Sequence, residues 1–191
     1  MNCFDLFSPK FKKECINWST MVTIYLANQL GFSETGRYVL DHLFIPRLKE
    51  IGFDVFDPFV ECGKLLDLSV LEICDKASGH QRFWEEFNRQ VGPTNNKGMI
   101  ESDCMGAILD GGHALDDGVS GEIGFYAGRE IGPIFALRSD LRLAENLAAK
   151  VNPQITSYIE MSGGKLIDNY PNAIETWFDL LEKFYETFTS S

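Results

Sequence analysis

The sequence predicts an α/β domain built on a parallel sheet, and three observations lead there. A β-prone run at 22–27, a helical pattern over 37–51 and a second β-prone run at 53–56 follow one another with short connections. That order is a βαβ unit, whose two strands must lie parallel. A later run, Met105-Gly106-Ala107-Ile108-Leu109, is apolar at nearly every position, as a strand covered on both faces is. The chain has 191 residues, 45% of them apolar and 24% charged, which is ample for a real core and excludes chain-wide disorder.

Each element has its own warrant. Val22-Thr23-Ile24-Tyr25-Leu26-Ala27 is the first buried strand, and 28–36 is a polar, glycine-containing loop. Val39, Leu40, Leu43, Phe44, Leu48 and Ile51 recur at helical spacing, with a kink or restart expected at Pro46 and an end at Gly52. Phe53 to Phe56 is the second strand, closed by Asp57-Pro58. The stretch 62–90 is helical in pattern, with a break at Ser78-Gly79; Gly92-Pro93-Thr94 is a turn and 95–102 a short helix. Met105 to Leu109 is the third strand, 110–118 a loop, 119–129 a glycine-laden helix and 133–137 the fourth strand. Ile155 to Ile159 is the candidate fifth strand. Residues 173–188 form a C-terminal helix whose apolar stripe runs through Ile174, Trp177, Leu181, Phe184 and Phe188. The division expected is an N-terminal extension, 1–20, and one α/β domain, 21–191, carrying a helical insertion at about 62–90.

Composition removes several function classes. Lysine and arginine number 17 and aspartate and glutamate 28, for a net charge of −11, which argues against nucleic-acid polymers and anionic membranes as partners. No run of about eighteen apolar residues occurs. The first twenty residues hold Lys10, Lys12, Lys13 and Glu14 and no apolar segment of the signal-peptide kind, so a cytoplasmic location is expected. Cys3, Cys15, Cys62, Cys74 and Cys104 form no C-x-x-C pair and are expected as reduced thiols. His42, His80 and His113 form no H-x-x-x-H pair, which disfavours a zinc hydrolase.

In a parallel sheet, ligands bind at the C-terminal strand ends, so chemistry belongs in the loops after Ala27, Phe56, Leu109 and Leu137. The loop after the third strand gathers Asp110, Asp116, Asp117 and Glu122 around Gly118, Gly121 and Gly124. Glycine in a helix costs about 1 kcal/mol against alanine, so three of them point to close packing or a bound ligand. Glu122 falls near the helix start, where the dipole favours its ionised form. An ionised glutamate beside a second carboxylate is equipment for glycosyl transfer: one attacks the anomeric carbon while the other exchanges a proton. The alternatives are a solvated acidic loop with Asp116 or Asp117 as N-cap, or Mg²⁺ held by Asp110, Asp116 and Asp117. His113 is a loop histidine or a substrate contact. Neither a G-x-S-x-G elbow nor a G-x-G-x-x-G fingerprint is present.

On these residues the sequence resembles the nucleoside 2-deoxyribosyltransferase family. The likeness rests on Ile24-Tyr25-Leu26-Ala27, continuing to Gly36-Arg37 and Asp57-Pro58. It rests further on Asn95, Ser102-Asp103, Ala107-Ile108-Leu109-Asp110 and the signature Asp116-x-Gly118-x-x-x-Glu122-Ile123-Gly124, and weakens through 136–142 and 151–155. The resemblance implies a flavodoxin-like, Rossmann-like five-stranded parallel sheet with helices on both faces. It implies transfer of 2-deoxyribose between nucleobases, with Glu122 as nucleophile, Asp116 handling sugar hydroxyl and protons, and Tyr25 positioning the nucleophile. Asn95, Asp117, Gly118 and Asn152 would bind substrate, Asn152 from a neighbouring subunit of a homo-oligomer. No metal or organic cofactor is implied; the partners are a 2-deoxynucleoside and a free base. The chain departs from the family at Val119, where members often carry Thr, and at Asn28-Gln29, where they often carry Gly-Pro. Those two side chains are expected to enter the base region. The departures keep open a deoxynucleoside or deoxynucleotide N-glycosidase and a non-catalytic nucleoside- or nucleotide-binding sensor. Arg138 and Arg142 are the nearest candidates for holding a 5′-phosphate, and nucleosides are favoured.

Overall fold

A computed structural model describes residues 21–67, 77–111 and 114–190. The expectations placed on 1–20, on Cys74 and on His113 lie outside that range. Five parallel strands form one sheet: β1 (Thr23–Asn28), β2 (Asp54–Phe56), β3 (Cys104–Ile108), β4 (Ile134–Leu137) and β5 (Lys165–Ile167), in the spatial order β2-β1-β3-β4-β5. Every neighbouring pair is parallel, with Tyr25 opposite both Phe56 and Met105. This is the flavodoxin-like order, with its topological switch between β1 and β3.

Helices cover both faces. Helix α1 (Glu34–Val39), a π turn (Leu40–Phe44) and α2 (Ile45–Ile51) follow β1, α3 (Pro58–Gly63) follows β2, and α4 (Ala77–Glu101) leads into β3. Helix α5 (Asp117–Gly128) leads into β4, α6 (Pro153–Met161) into β5, and α7 (Ala173–Thr189) closes the chain. One core joins Ile24 and Leu26 of β1 to Leu40, Phe44 and Leu48 and to Trp177, Phe178 and Leu181 of α7. The other joins Tyr25 and Ala27 to Met99 of α4, Ile123 and Tyr126 of α5, and Ile155 and Ile159 of α6. Alternate β1 residues therefore enter opposite cores, as the two-residue strand period requires. Gly106 lets Trp177 lie against β3: a Cβ there would sit 3.0 Å from Ile24 and 3.1 Å from the indole, whose N–H donates to the Phe135 carbonyl at 2.9 Å.

Several expectations are corrected. Ile155 to Ile159 is not a strand. It lies within α6, which Asn152 caps by accepting the Gln154 N–H at 2.8 Å and which opens at Pro153. Ile155 and Ile159 are four apart and share one helix face, and in so short a segment that spacing fits a strand face as well as a helix face. The fifth strand is instead the short Lys165–Ile167. Helix formation begins earlier than Arg37, because Ser33 caps α1 by accepting the Gly36 N–H at 3.0 Å. The kink at Pro46 is a π turn just before it, a wider turn that accommodates a residue with no N–H to give. Gly52, at φ +119°, ends α2 as expected. The turn expected at 92–94 does not exist: α4 runs unbroken through Pro93, while the break expected at Ser78-Gly79 falls at the start of α4, beside residues 68–76 that lie outside the described range. Gly92 has no Cβ to clash with the proline ring, and Arg89, whose carbonyl the proline leaves without its helical donor, is exposed with both of them.

Candidate active site

The C-terminal ends of β1, β2 and β3 open onto a cleft of about 390 Å³. Its polar floor is Glu122, Asn95, Asp116 and Cys62; its apolar wall includes Phe32, Phe59 and Phe87. Asp57 places part of that wall. It caps α3 by accepting the Phe59 N–H at 3.0 Å and accepts Arg37 Nη1 at 2.6 Å, tying α1 to the start of α3. Gly98 lets α4 cross Phe56, since a Cβ there would lie 2.3 Å from the ring. Phe56 in turn stacks on Tyr25, with centroids 5.3 Å apart. That close approach of α4 delivers Asn95, one turn earlier, into the cleft.

Glu122 lies in the second turn of α5. The buried Tyr25 hydroxyl donates to its Oε1 at 2.6 Å, and Asn95 Nδ2 donates to the same oxygen at 3.2 Å. Both donors converge on Oε1, and Oε2 accepts no hydrogen bond from any described residue. Burial pushes the Glu122 carboxyl up to about 7, and the Asp116 charge adds to the rise. The two hydrogen bonds pull the other way. Any help from the helix dipole, about 1 kcal/mol and confined to the first turn, is smaller than the desolvation of this carboxylate. Tyr25 is held far above its ordinary range, by burial first and then by the Glu122 charge, so it remains a donor.

The four loop carboxylates do not act as one cluster. Asp110 accepts the Ser139 and Asp140 N–H groups at 3.1 and 2.9 Å, fastening the β3 and β4 loops together. Asp116 caps α5 by accepting the Val119 N–H at 3.1 Å and also lines the cleft with Gly118 and Glu122. Asp117 is exposed and lies outside the cleft lining. Among the described residues, no three His, Cys, Asp or Glu side chains are grouped to hold a metal ion. Asn152, within one protomer, lines a separate cavity of about 670 Å³ with Arg138, Lys150 and Tyr158. Arg138 is buried and donates to the Leu109 carbonyl, while Arg142 pairs with Asp140; neither lines the Glu122 cleft.

The expected roles of Asn28 and Gln29 are also revised. Asn28 borders the cleft, but its amide donates to the Leu26 carbonyl at 2.9 Å and accepts the Gly31 N–H at 3.1 Å. Gln29 accepts the Asp116 N–H at 2.6 Å, which holds the 110–118 loop, and does not line the cleft. Sequence reading missed Cys62, Phe59 and Phe87 as cleft residues. The signal for the first two was their position just after the Asp57-Pro58 strand end. Phe87 gave none, because an aromatic residue on a mostly exposed helix has no local mark of what it faces.

Comparison with known proteins adds the family context. A family model described as nucleoside 2-deoxyribosyltransferase matches residues 24–167. Among solved structures, the chain is similar to a 2-desoxiribosyltransferase from Leishmania mexicana, at 16% identity and a TM-score of 0.49, over 83% of this chain and 97% of that one. Among curated proteins, none matches significantly.

Proposed function

The chain belongs to the nucleoside 2-deoxyribosyltransferase family, and from that membership and the Glu122 cleft we propose that it moves 2-deoxyribose between nucleobases by double displacement. One observation carries the reading: a desolvated carboxylate that lines an aromatic-walled cleft is held by two donors on one oxygen. Glu122 Oε2 forms the bond to C1′ as the C1′–N bond breaks. The electron pair leaves with the base, which takes up a proton. Asp116, the second carboxylate of the cleft, is the group assigned to relay that proton and to hold a sugar hydroxyl. A second base then attacks C1′ and releases Glu122. A 2-deoxy sugar lacks the electron-withdrawing 2′-hydroxyl, so its cationic transition state is reached more easily, and the fixed carboxylate stabilises it. Phe32, Phe59 and Phe87 offer faces for the base and keep water from the ester.

The substrate class follows from charge. Among the described residues no lysine or arginine lines the cleft, while Glu122 and Asp116 do, so a neutral nucleoside suits it better than a nucleotide. A homo-oligomer with sites completed across subunits is part of the same reading. It is supported by Leu141, Leu143 and Leu147, which are 62%, 36% and 94% exposed on the loop preceding Asn152. Intact-mass spectrometry of the protein incubated with a 2-deoxynucleoside tests the chemistry. A deoxyribosyl adduct on Glu122, absent from Glu122→Ala, is expected; full base exchange by that variant would refute the assignment. Rapid deoxyribose release from a deoxynucleoside alone would instead make the enzyme a hydrolase. Mixing inactive Glu122→Ala with inactive Asn152→Ala restores activity if sites are shared between subunits.

A further inference from the structure

We propose that Cys62 is a positioning residue: its thiol holds the Asn95 amide in the one rotamer that donates to Glu122. The proposal rests on the reading of Glu122 as nucleophile, but its central measurement does not need turnover. Cys62, buried on α3, lies with Sγ 3.3 Å from Asn95 Oδ1, and Asn95 Nδ2 lies 3.2 Å from Glu122 Oε1. The three side chains come from three different helices and form one relay, thiol to amide to carboxylate.

The amide is the element with two states. Rotated by half a turn, Asn95 would set Oδ1 against Glu122 Oε1, acceptor against acceptor, and would direct its NH₂ at the thiol. A thiol is a poor acceptor and a usable donor, so Cys62 favours the observed rotamer from its side as the carboxylate does from the other. Burial, followed by the charges of Glu122, Glu61 and Asp57, pushes the Cys62 thiol up, which keeps the proton on sulfur at neutral pH. The groups that face Glu122 are Tyr25 from β1 and Asp116 at the start of α5. Around Cys62, Asp57 is paired with Arg37 and Glu61 with Lys64. Replacing the thiol by an apolar group therefore leaves these charges in place and acts on Glu122 through Asn95. Nothing in the sequence marks this: residues 62 and 95 meet only because α3 packs along α4.

The test is the titration of the Glu122 carboxyl in the full-length protein, followed by ¹³C NMR with labelled glutamate and assigned by its absence from Glu122→Gln. In Cys62→Val the midpoint is expected to rise by about one pH unit, the effect of weakening one hydrogen bond to a carboxylate. Cys62→Ser, which keeps a donor, should leave it unchanged. Asn95→Leu should raise the midpoint as Cys62→Val does, with no further rise in the double variant. Should Cys62→Val fail to fold, Cys62→Ala carries the same expectation. A shift in Asn95→Leu with none in either apolar Cys62 variant would overturn the proposal, as would additive shifts. Absence of base exchange by the parent protein, with these shifts intact, would sink the functional reading alone.

Discussion

Replacing Tyr25 by Phe removes one hydroxyl from a buried site and leaves the ring stacked on Phe56. The lost contact is the 2.6 Å donation to Glu122 Oε1, the shorter of the two bonds that carboxylate accepts. A hydrogen bond to a charged group contributes about 1.5–3 kcal/mol, which corresponds to about one to two pH units in the acceptor. The bond stabilises the ionised form, so its loss raises the Glu122 midpoint further above about 7. At pH 7 the ionised fraction then falls from about one half to between about 1% and about 10%, and the rate of base exchange falls about 5- to 50-fold. The loss should shrink as pH rises past 9, because Glu122 ionises there without help. The assay is the initial rate of base exchange against pH, beside the carboxyl titration. An acidic limb that stays at its parent position, with the rate lowered equally at all pH values, would refute the reasoning. It would mean that Tyr25 acts by shape and not through the charge on Glu122.

Further outcomes follow from the same geometry. Glu122 binds its proton more tightly folded, at about 7, than unfolded, near 4.5, so its burial destabilises the fold progressively as pH rises through that window. Glu122→Gln should therefore gain up to about 3 kcal/mol at pH 8 and almost nothing at pH 4, read by denaturant unfolding. Asp116→Asn keeps an N-cap acceptor but removes a charge that raises Glu122, so the carboxyl midpoint should fall while the melting temperature changes little. Gly98→Ala drives a methyl into the Phe56 ring and should cost about 1–3 kcal/mol in stability, with impaired exchange as α4 carries Asn95 outward. Pro93→Ala should stabilise the protein by about 2 kcal/mol, because the exposed proline within the continuous α4 withholds one helical N–H; a lower melting temperature would show that the proline itself shapes the cleft.

Much of the fold was legible because it rests on local pattern. The run from Thr23 to Asn28, the helical spacing from Val39 to Ile51 and the unbroken apolar stretch before Asp110 each declare an element without reference to the rest of the chain. The misread segments are those where one pattern fits two structures. Ile155 to Ile159 satisfies a buried strand and a helix face equally, and only the Asn152 cap and the neighbouring α5 decide between them. Gly92-Pro93 carries every local mark of a turn, yet the helix continues because Gly98 and Met99 are held against the sheet beyond it.

The candidate site divides in the same way. Sequence alone picked out Glu122, Asp116 and Gly118 through their spacing around one loop, and Tyr25 and Asn95 through family likeness. It could not say which acids do what. Asp110 and Asp117 look equivalent to Asp116 in the chain, but one fastens a neighbouring loop and the other faces solvent. Tertiary structure alone decided that Tyr25 and Asn95 share one oxygen of Glu122, that burial outweighs the helix dipole there, and that Cys62 reaches Asn95. The physical reason is range. Propensity and periodicity act within a few residues, whereas desolvation and hydrogen bonding depend on what the fold brings together across 97 positions for Tyr25 and 27 for Asn95.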